Sequence, residues 1–379
     1  MVAPVIDAIP HADETKPKPL TPEELADRLV PNDPRISPDG RHAAFTVQAA
    51  SKKEEYTESA IWLSRDGAPA TRFTAGIGSD NSPRWSPDGT RLAFLSDRKD
   101  TKEHDKRMVY LLELNGGEAK PLGELDGELY DPQWSPDGTK IAVIREDPEN
   151  QDEKKKREER DDAVVVETER KRNRIFVIDV ETGKARQLTY GMRQIWSYGW
   201  NRDGSRIAMT TTEGYDENAA CASGDLWTVP AGGGLPNHIA RFPSLPGSPV
   251  FVNGGIVVRA NGHWEDPPDS VWCVPDGGEP RNVLPGLKGN VDEICPITGD
   301  TSRVGARIVE GVHAGAYTVE IAAGELTKVT PEGQHGDGRI QGGPTFSTDG
   351  KRVAVVWSEG QVPQEVYVAE AAGAPAKLT

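Results

Sequence analysis

Three identical four-residue turns recur at one interval. Ser37-Pro38-Asp39-Gly40, Ser86-Pro87-Asp88-Gly89 and Ser135-Pro136-Asp137-Gly138 set their aspartates 49 residues apart. A constant period near 49 marks a repeat architecture and constrains the fold more than composition does. Degenerate copies follow at Asn201-Arg202-Asp203-Gly204 and Ser347-Thr348-Asp349-Gly350. Asp203 and Asp349 lie 146 residues apart, one short of three periods. Two more copies therefore belong near 252 and 301, where Asn253-Gly254 and Gly299-Asp300 stand. Both pairs tolerate the positive φ of a tight turn. The count is seven.

A second marker repeats in step. Each turn is followed by a short apolar run centred on an aromatic: Trp62, Tyr110, Phe176, Trp227, Trp272, Tyr317 and Tyr367. A glycine-bearing turn comes next. Five units then close on Leu-Thr or a similar pair: Phe73-Thr74, Leu188-Thr189, Val283-Leu284, Val329-Thr330 and Leu378-Thr379. One unit thus holds four short strands bounded by Gly, Pro, Asp and Asn. Runs such as Leu92-Ala93-Phe94-Leu95 and Ile141-Ala142-Val143-Ile144 are apolar throughout, which suits a strand covered on both faces. Four-stranded repeats of this length predict an all-β chain: a seven-bladed β-propeller over residues 34–379. Stacked helical repeats are the rival at this period. The 40 Gly and 30 Pro in 379 residues, with few long 3.6-period segments, argue against them.

Two segments depart from the repeat. Residues 1–33 form an arm, Pro-rich and polar up to residue 19. Thr21-Pro22-Glu23-Glu24 then opens a short helix over about 21–30, with Thr21 as N-cap and Glu24 completing a capping box. Leu25 and Leu29 give it an apolar edge that either the propeller or a partner could cover. The second departure is an insert of 17 residues in the third unit, placed at about 145–174 between that unit's second and third strands. Its run from Glu153 to Asp162 is charged at nearly every position and balanced in sign. A solvated helical tip is one reading. A docking arm is the other, supported by the β-branched run Val164-Val165-Val166.

The net charge of −16, with no basic face, argues against a nucleic-acid partner. Three unpaired cysteines suit a reducing compartment. No stretch approaches a membrane span, and residues 1–10 lack the pattern of a signal peptide, so a cytoplasmic setting is expected. The sequence contains no Gly-x-Ser-x-Gly elbow, phosphate-binding loop, His-Glu-x-x-His or Cys-x-x-Cys. No cofactor and no metal are expected. The turn aspartates bond their own backbone and are not catalytic candidates.

The segment from Thr21 to Gly40, the unit Arg84 to Phe94, the charged insert and the last unit through Thr379 together resemble prolyl oligopeptidase-family serine peptidases. The likeness is to acylaminoacyl and dipeptidyl peptidases, and it extends from about residue 20 to the end. It implies a non-catalytic propeller that gates short peptides and docks an α/β-hydrolase domain, in cis or in trans. That domain has no counterpart here, so no catalytic residue is assigned and this chain alone is expected to be inactive. Homo-oligomerisation stays open. Loops between second and third strands, and those between blades, share the face opposite the Ser-Pro-Asp-Gly turns. On it, Arg145, Glu146, Arg193, Gln194, Trp196, Glu213, Tyr215 and Asp216 are the candidates for substrate or domain contact. For each one, an ordinary surface role is the competing reading. A TolB-like interaction scaffold is the alternative function. A metal-dependent lyase or lactonase is a third, but Arg35-Ile36-Ser37, Arg84-Trp85-Ser86 and Gln133-Trp134-Ser135 offer no consistent ligand position.

Overall fold

The computed structural model describes residues 21–379 apart from 23, 25–26, 50–57, 76–77, 99–105, 160–170, 215–216, 263–268, 331–338, 360–361 and 371–373. It forms seven four-stranded antiparallel sheets, the blades of a β-propeller. They span residues 29–72, 80–127, 129–187, 194–242, 250–282, 290–328 and 339–377. The strands of every blade follow sequence order, so each first strand lies innermost and each fourth strand outermost.

The repeated turn is held by its own side chains. In blade 1, Ser37 Oγ donates to Asp39 Oδ1 at 2.5 Å, and Asp39 accepts the Arg41 amide at 3.0 Å. Ser37 Oγ also accepts the His42 amide at 2.9 Å. Blades 2, 3 and 7 repeat the pattern, and in blade 4 Asn201 takes the part of the serine. Gly254 supplies the expected left-handed residue in blade 5, at φ 74°. Blade 6 differs: Gly299 is not left-handed. Its missing Cβ instead leaves room for the backbone of Thr348, to which its amide donates at 3.0 Å.

The closing pair has an equally local cause. Thr74, Thr189, Thr330 and Thr379 each accept a third-strand amide on Oγ1: those of Ile61 (3.1 Å), Ile175 (2.9 Å), Ala316 (3.1 Å) and Val366 (3.0 Å). The residue before each threonine donates its amide to the carbonyl of the same third-strand residue. The pair thus extends the ladder where the fourth strand itself is two or three residues long.

The buried apolar side chains fall into seven clusters, one between each pair of neighbouring blades. Alternation explains the all-apolar runs. Leu92 and Phe94 pack toward blade 1, while Ala93 and Leu95 pack toward blade 3. A strand with period-two side chains is covered on both faces in this way.

Two kinds of polar bond recur across the junctions. Trp85, Trp134 and Trp200 donate their indole N–H to the carbonyls of Arg35, Arg84 and Gln133 on the preceding blade, at 2.9, 3.0 and 3.3 Å. These join blades 1–2, 2–3 and 3–4. At junctions 5–6, 6–7 and 7–1 the turns bond instead, with Asn253, Gly299 and Thr348 amides donating to Thr301, Thr348 and Pro38 carbonyls. The 7–1 junction, which has no shared strand, adds Thr345 Oγ1 to Pro34 O (3.1 Å), the Ile36 amide to Thr345 Oγ1 (3.0 Å), and the Ala70 amide to Leu378 O (2.9 Å).

The insert lies between the second and third strands of blade 3, but its bounds are narrower than the sequence suggested. Arg145 pairs with Arg174 and Glu146 with Asn173 in the strand ladder. The excursion is 147–172, and it carries the helix Gln151–Glu159. Asn150 caps that helix: its Oδ1 accepts the Glu153 amide at 2.9 Å and Glu153 returns the bond at 2.7 Å. Val164 to Val166 lie outside the described residues. At the N-terminus, Thr21 and Glu24 form the same reciprocal cap, at 3.2 and 2.9 Å. Leu29 is not on that helix, however. It begins the first strand of blade 1 and packs against the cluster shared with blade 7, whose sheet covers it. Leu25 lies outside the described residues.

Candidate functional site

The innermost strands begin earlier than their turn motifs indicate: Leu29–Ile36, Asp80–Trp85 and Leu129–Trp134. Each holds one non-glycine residue at positive φ: Asp33 (48°), Ser82 (55°) and Asp131 (45°). All three stand six residues before a turn aspartate and directly before a proline. The ladder register shifts there in each blade. A bulge of this kind turns a side chain off the alternation, and strained backbone of this sort gathers where a site needs it.

The bulges assemble a charged wall around the axis. Arg35 Nε donates to Asp33 Oδ1 at 2.8 Å, and Arg84 Nη1 donates to Asp33 Oδ2 at 2.7 Å. The second terminal nitrogen of Arg84 reaches Asp131 Oδ1 at 3.4 Å. Gln133 Nε2 continues the chain, to Asp131 Oδ2 at 2.7 Å and to the Tyr198 carbonyl at 3.0 Å. Four blades are thus linked through side chains. Burial pushes the Asp33 carboxyl up, but the guanidiniums of Arg35 and Arg84 outweigh it and hold its pKa at about 2. Across the axis, Glu293 of blade 6 sits against Gly343, where a Cβ would collide with its carboxylate. Burial raises the Glu293 pKa, with Arg35 and Arg307 opposing. Arg307 bonds Asp292 at 3.1 Å, and Arg259 bonds Asp269. The inner strands therefore carry carboxylates, but arginines bond Asp33, Asp131 and Asp292 and face Glu293. Among the described residues no three His, Cys, Asp or Glu side chains are grouped to hold a metal.

The candidates named from sequence fall on blades 3 and 4, at the edge opposite the turns. Arg145 donates to the Asp126 carbonyl of blade 2 at 2.7 Å and lies over the Phe176 ring. Glu146 faces Lys171 at 3.8 Å. Burial raises its pKa, and nearby Glu128 adds to the rise against Lys171. Gln194 is buried, and its Oε1 accepts the Asn173 amide at 3.1 Å, joining blade 4 to blade 3. Trp196 donates to Thr212 Oγ1 at 2.8 Å. Arg193 covers the Trp227 ring at 4.6 Å and bonds the buried Asp225 at 2.9 Å. Asp225 also holds His238 Nε2 at 3.0 Å. Glu213 lies 3.9 Å from both Arg193 and Arg241. Arg193, Gln194, Trp196 and Glu213 thus converge, whereas Arg145 and Glu146 belong to the neighbouring blade 2–3 rim. Tyr215 and Asp216 lie outside the described residues.

Sequence reasoning missed the apolar part of this rim. Tyr190 and Met192 flank Gly191 on the blade 3–4 connection and are 73% and 75% exposed. Tyr130 belongs here too. Burial pushes its hydroxyl pKa up to about 12, with a further contribution from Glu128, to which it donates at 3.0 Å. The rim offers apolar contact, paired charges and hydrogen-bond donors. No helix among the described residues is long and apolar enough to cross a membrane.

Residues 28–168 match the family model described as the TolB beta propeller domain. No curated protein matches the sequence. Among solved structures, the chain is similar to Pyrococcus horikoshii acylaminoacyl peptidase, with TM-score 0.69, 15% identity, and coverage of 94% of this chain and 53% of that one. It is also similar to a Mycobacterium tuberculosis puromycin-hydrolyzing peptidase, with TM-score 0.70, 15% identity, and coverage of 96% and 55%. The β-propeller domain of the Trilobed protease from Pyrococcus furiosus, described as having an open velcro topology, matches over 93% of this chain and 96% of its own, at TM-score 0.65 and 15% identity. The chain spans about half the length of the two peptidases.

Proposed function

We propose that this propeller is the non-catalytic, peptide-gating half of a serine peptidase of the prolyl oligopeptidase type, acting in the cytoplasm. Its partner is an α/β-hydrolase domain. The observation that carries the reading is the coverage: almost the whole chain superposes on about half of each of two peptidases. The fold supplies the physical role. A ring with a charged, side-chain-lined axis excludes folded polypeptide and shields a covered active site from water. Arg193, Trp196, Glu213, Tyr190 and Met192 are the contacts proposed for the hydrolase or for the peptide. The chain alone should neither hydrolyse acetyl-aminoacyl anilides nor react with a fluorophosphonate serine probe. Probe-sensitive turnover by the isolated chain would sink the reading.

A second reading has its own support. The TolB-type family match over 28–168 and the likeness to a propeller solved by itself suit an interaction scaffold without an attached enzyme. The coding sequence beyond the Thr379 codon bears on the two: a Gly-x-Ser-x-Gly elbow there supports the peptidase, whereas after a stop codon co-purification of a partner reactive to a serine probe separates a hydrolase in trans from the scaffold.

A further inference from the structure

The weak point of this ring is not the junction where the chain's first and last blades meet. We propose that the ring parts between blades 4 and 5, opening a side mouth to the central channel. Six junctions carry hydrogen bonds from blade to blade, either an indole staple or a turn-to-turn amide bond. The 4–5 junction has neither. The position of Trp85, Trp134 and Trp200 is taken by Phe251, which packs toward blade 4 but has no donor. A Cβ added at Gly254 would meet nothing within 4 Å, whereas one added at Gly89, Gly138 or Gly204 would meet Pro38, Pro87 or Pro136 of the preceding blade at 3.6 Å. Among the described residues, no hydrogen bond joins a strand or turn of blade 4 to one of blade 5.

What remains there is apolar and non-directional. Leu226, Phe242, Ile256 and Val258 pack in one cluster, and Arg206 lies over the Phe251 ring at 5.7 Å. Contacts of this kind slide or separate without breaking a directional bond. The innermost strand of blade 5 is also cut to Val250–Val252, so this sector of the wall is the thinnest.

The connection between the two blades is tied to both, and Ser244 Oγ donates to Asn261 Oδ1 of blade 5 at 2.9 Å. The Leu245 amide is tied to blade 4 through the Ala220 carbonyl, at 2.7 Å. The Gly247 amide is tied to blade 5 through the Arg259 carbonyl, also at 2.7 Å. Pro246 stands between the two anchors. Opening would break the Ser244–Asn261 bond and turn the chain at Pro246, as in hinge motions where few positions absorb the change.

Spin-label pairs on exposed turns of adjacent blades test this, in a Cys221→Ser, Cys295→Ala background. Leu235→Cys with Glu279→Cys spans junction 4–5, and Ala68→Cys with Ala374→Cys spans 7–1. The expected result is a second, longer distance population for the 4–5 pair and a single narrow one for the 7–1 pair. Single narrow populations at both junctions, or the longer population at 7–1, would overturn the proposal. Neither outcome depends on whether a hydrolase is attached, so this test stands apart from that of the proposed function.

Discussion

The Trp134 indole donates its N–H to the backbone carbonyl of Arg84, 3.0 Å away on the preceding blade. That carbonyl belongs to the residue whose guanidinium bonds Asp33 and Asp131. The same arginine thus anchors the ring junction through its backbone and the channel wall through its side chain.

Trp134→Phe keeps the aromatic packing and removes the donor. Its expected cost is about 1 kcal/mol, the net value of one such bond. Urea unfolding should show a lower midpoint with an unchanged slope. An unchanged midpoint would mean that the staple contributes nothing.

Thr189→Val keeps the shape of the closing pair and leaves the buried Ile175 amide without its acceptor. The expected destabilisation is about 1–3 kcal/mol. Thr189→Ser, which retains the hydroxyl, should cost clearly less. Equal losses for the two variants would rule out the hydroxyl as the reason for the motif.

Arg84→Met leaves Asp33 with Arg35 alone and Asp131 with Gln133. Removing one member of such a partly buried network costs up to about 3–5 kcal/mol where the partner charge is left uncompensated. The Asp33 pKa should rise from about 2 toward its ordinary value. Carboxyl chemical shifts followed by NMR titration check the direction, and an unmoved Asp33 would contradict the network.

The turn aspartates make stability depend on acid. The hydrogen bond from Ser135 is the largest cause lowering the Asp137 pKa, from 3.8 to about 2. A carboxyl whose folded pKa lies below its unfolded value stabilises the fold above the unfolded value. That stabilisation is lost as pH falls through the folded one. The window here is therefore about pH 4 down to about 2. Ser135→Ala should raise the Asp137 pKa and move acid unfolding, followed by circular dichroism, to higher pH.

The repeat was legible because its chemistry is local. Ser37, Asp39 and Gly40 satisfy one another within a few residues, and Thr189 bonds a strand fourteen residues away. The channel wall is not, because the turn motifs mark the inner strands only from Arg35, Arg84 and Gln133 onward. Asp33 and Asp131 lay just upstream, behind prolines that read as turn residues. Their common offset of six from the turn aspartate was the available signal. Arg145 and Glu146 fall within the insert's sequence bounds because the charged run hides where the ladder ends. The exposure of Tyr190 and Met192 is a tertiary property, set by how blades 3 and 4 meet, and no local pattern encodes it.

Gating itself is tested by substrate size. With the proposed α/β-hydrolase domain joined to this propeller, kcat/KM is measured for an acetyl-aminoacyl anilide and for a long unfolded polypeptide, before and after excision of residues 29–379. The expected result is a steep preference for the anilide that collapses when the propeller is removed. An unchanged ratio of the two values would contradict a gate.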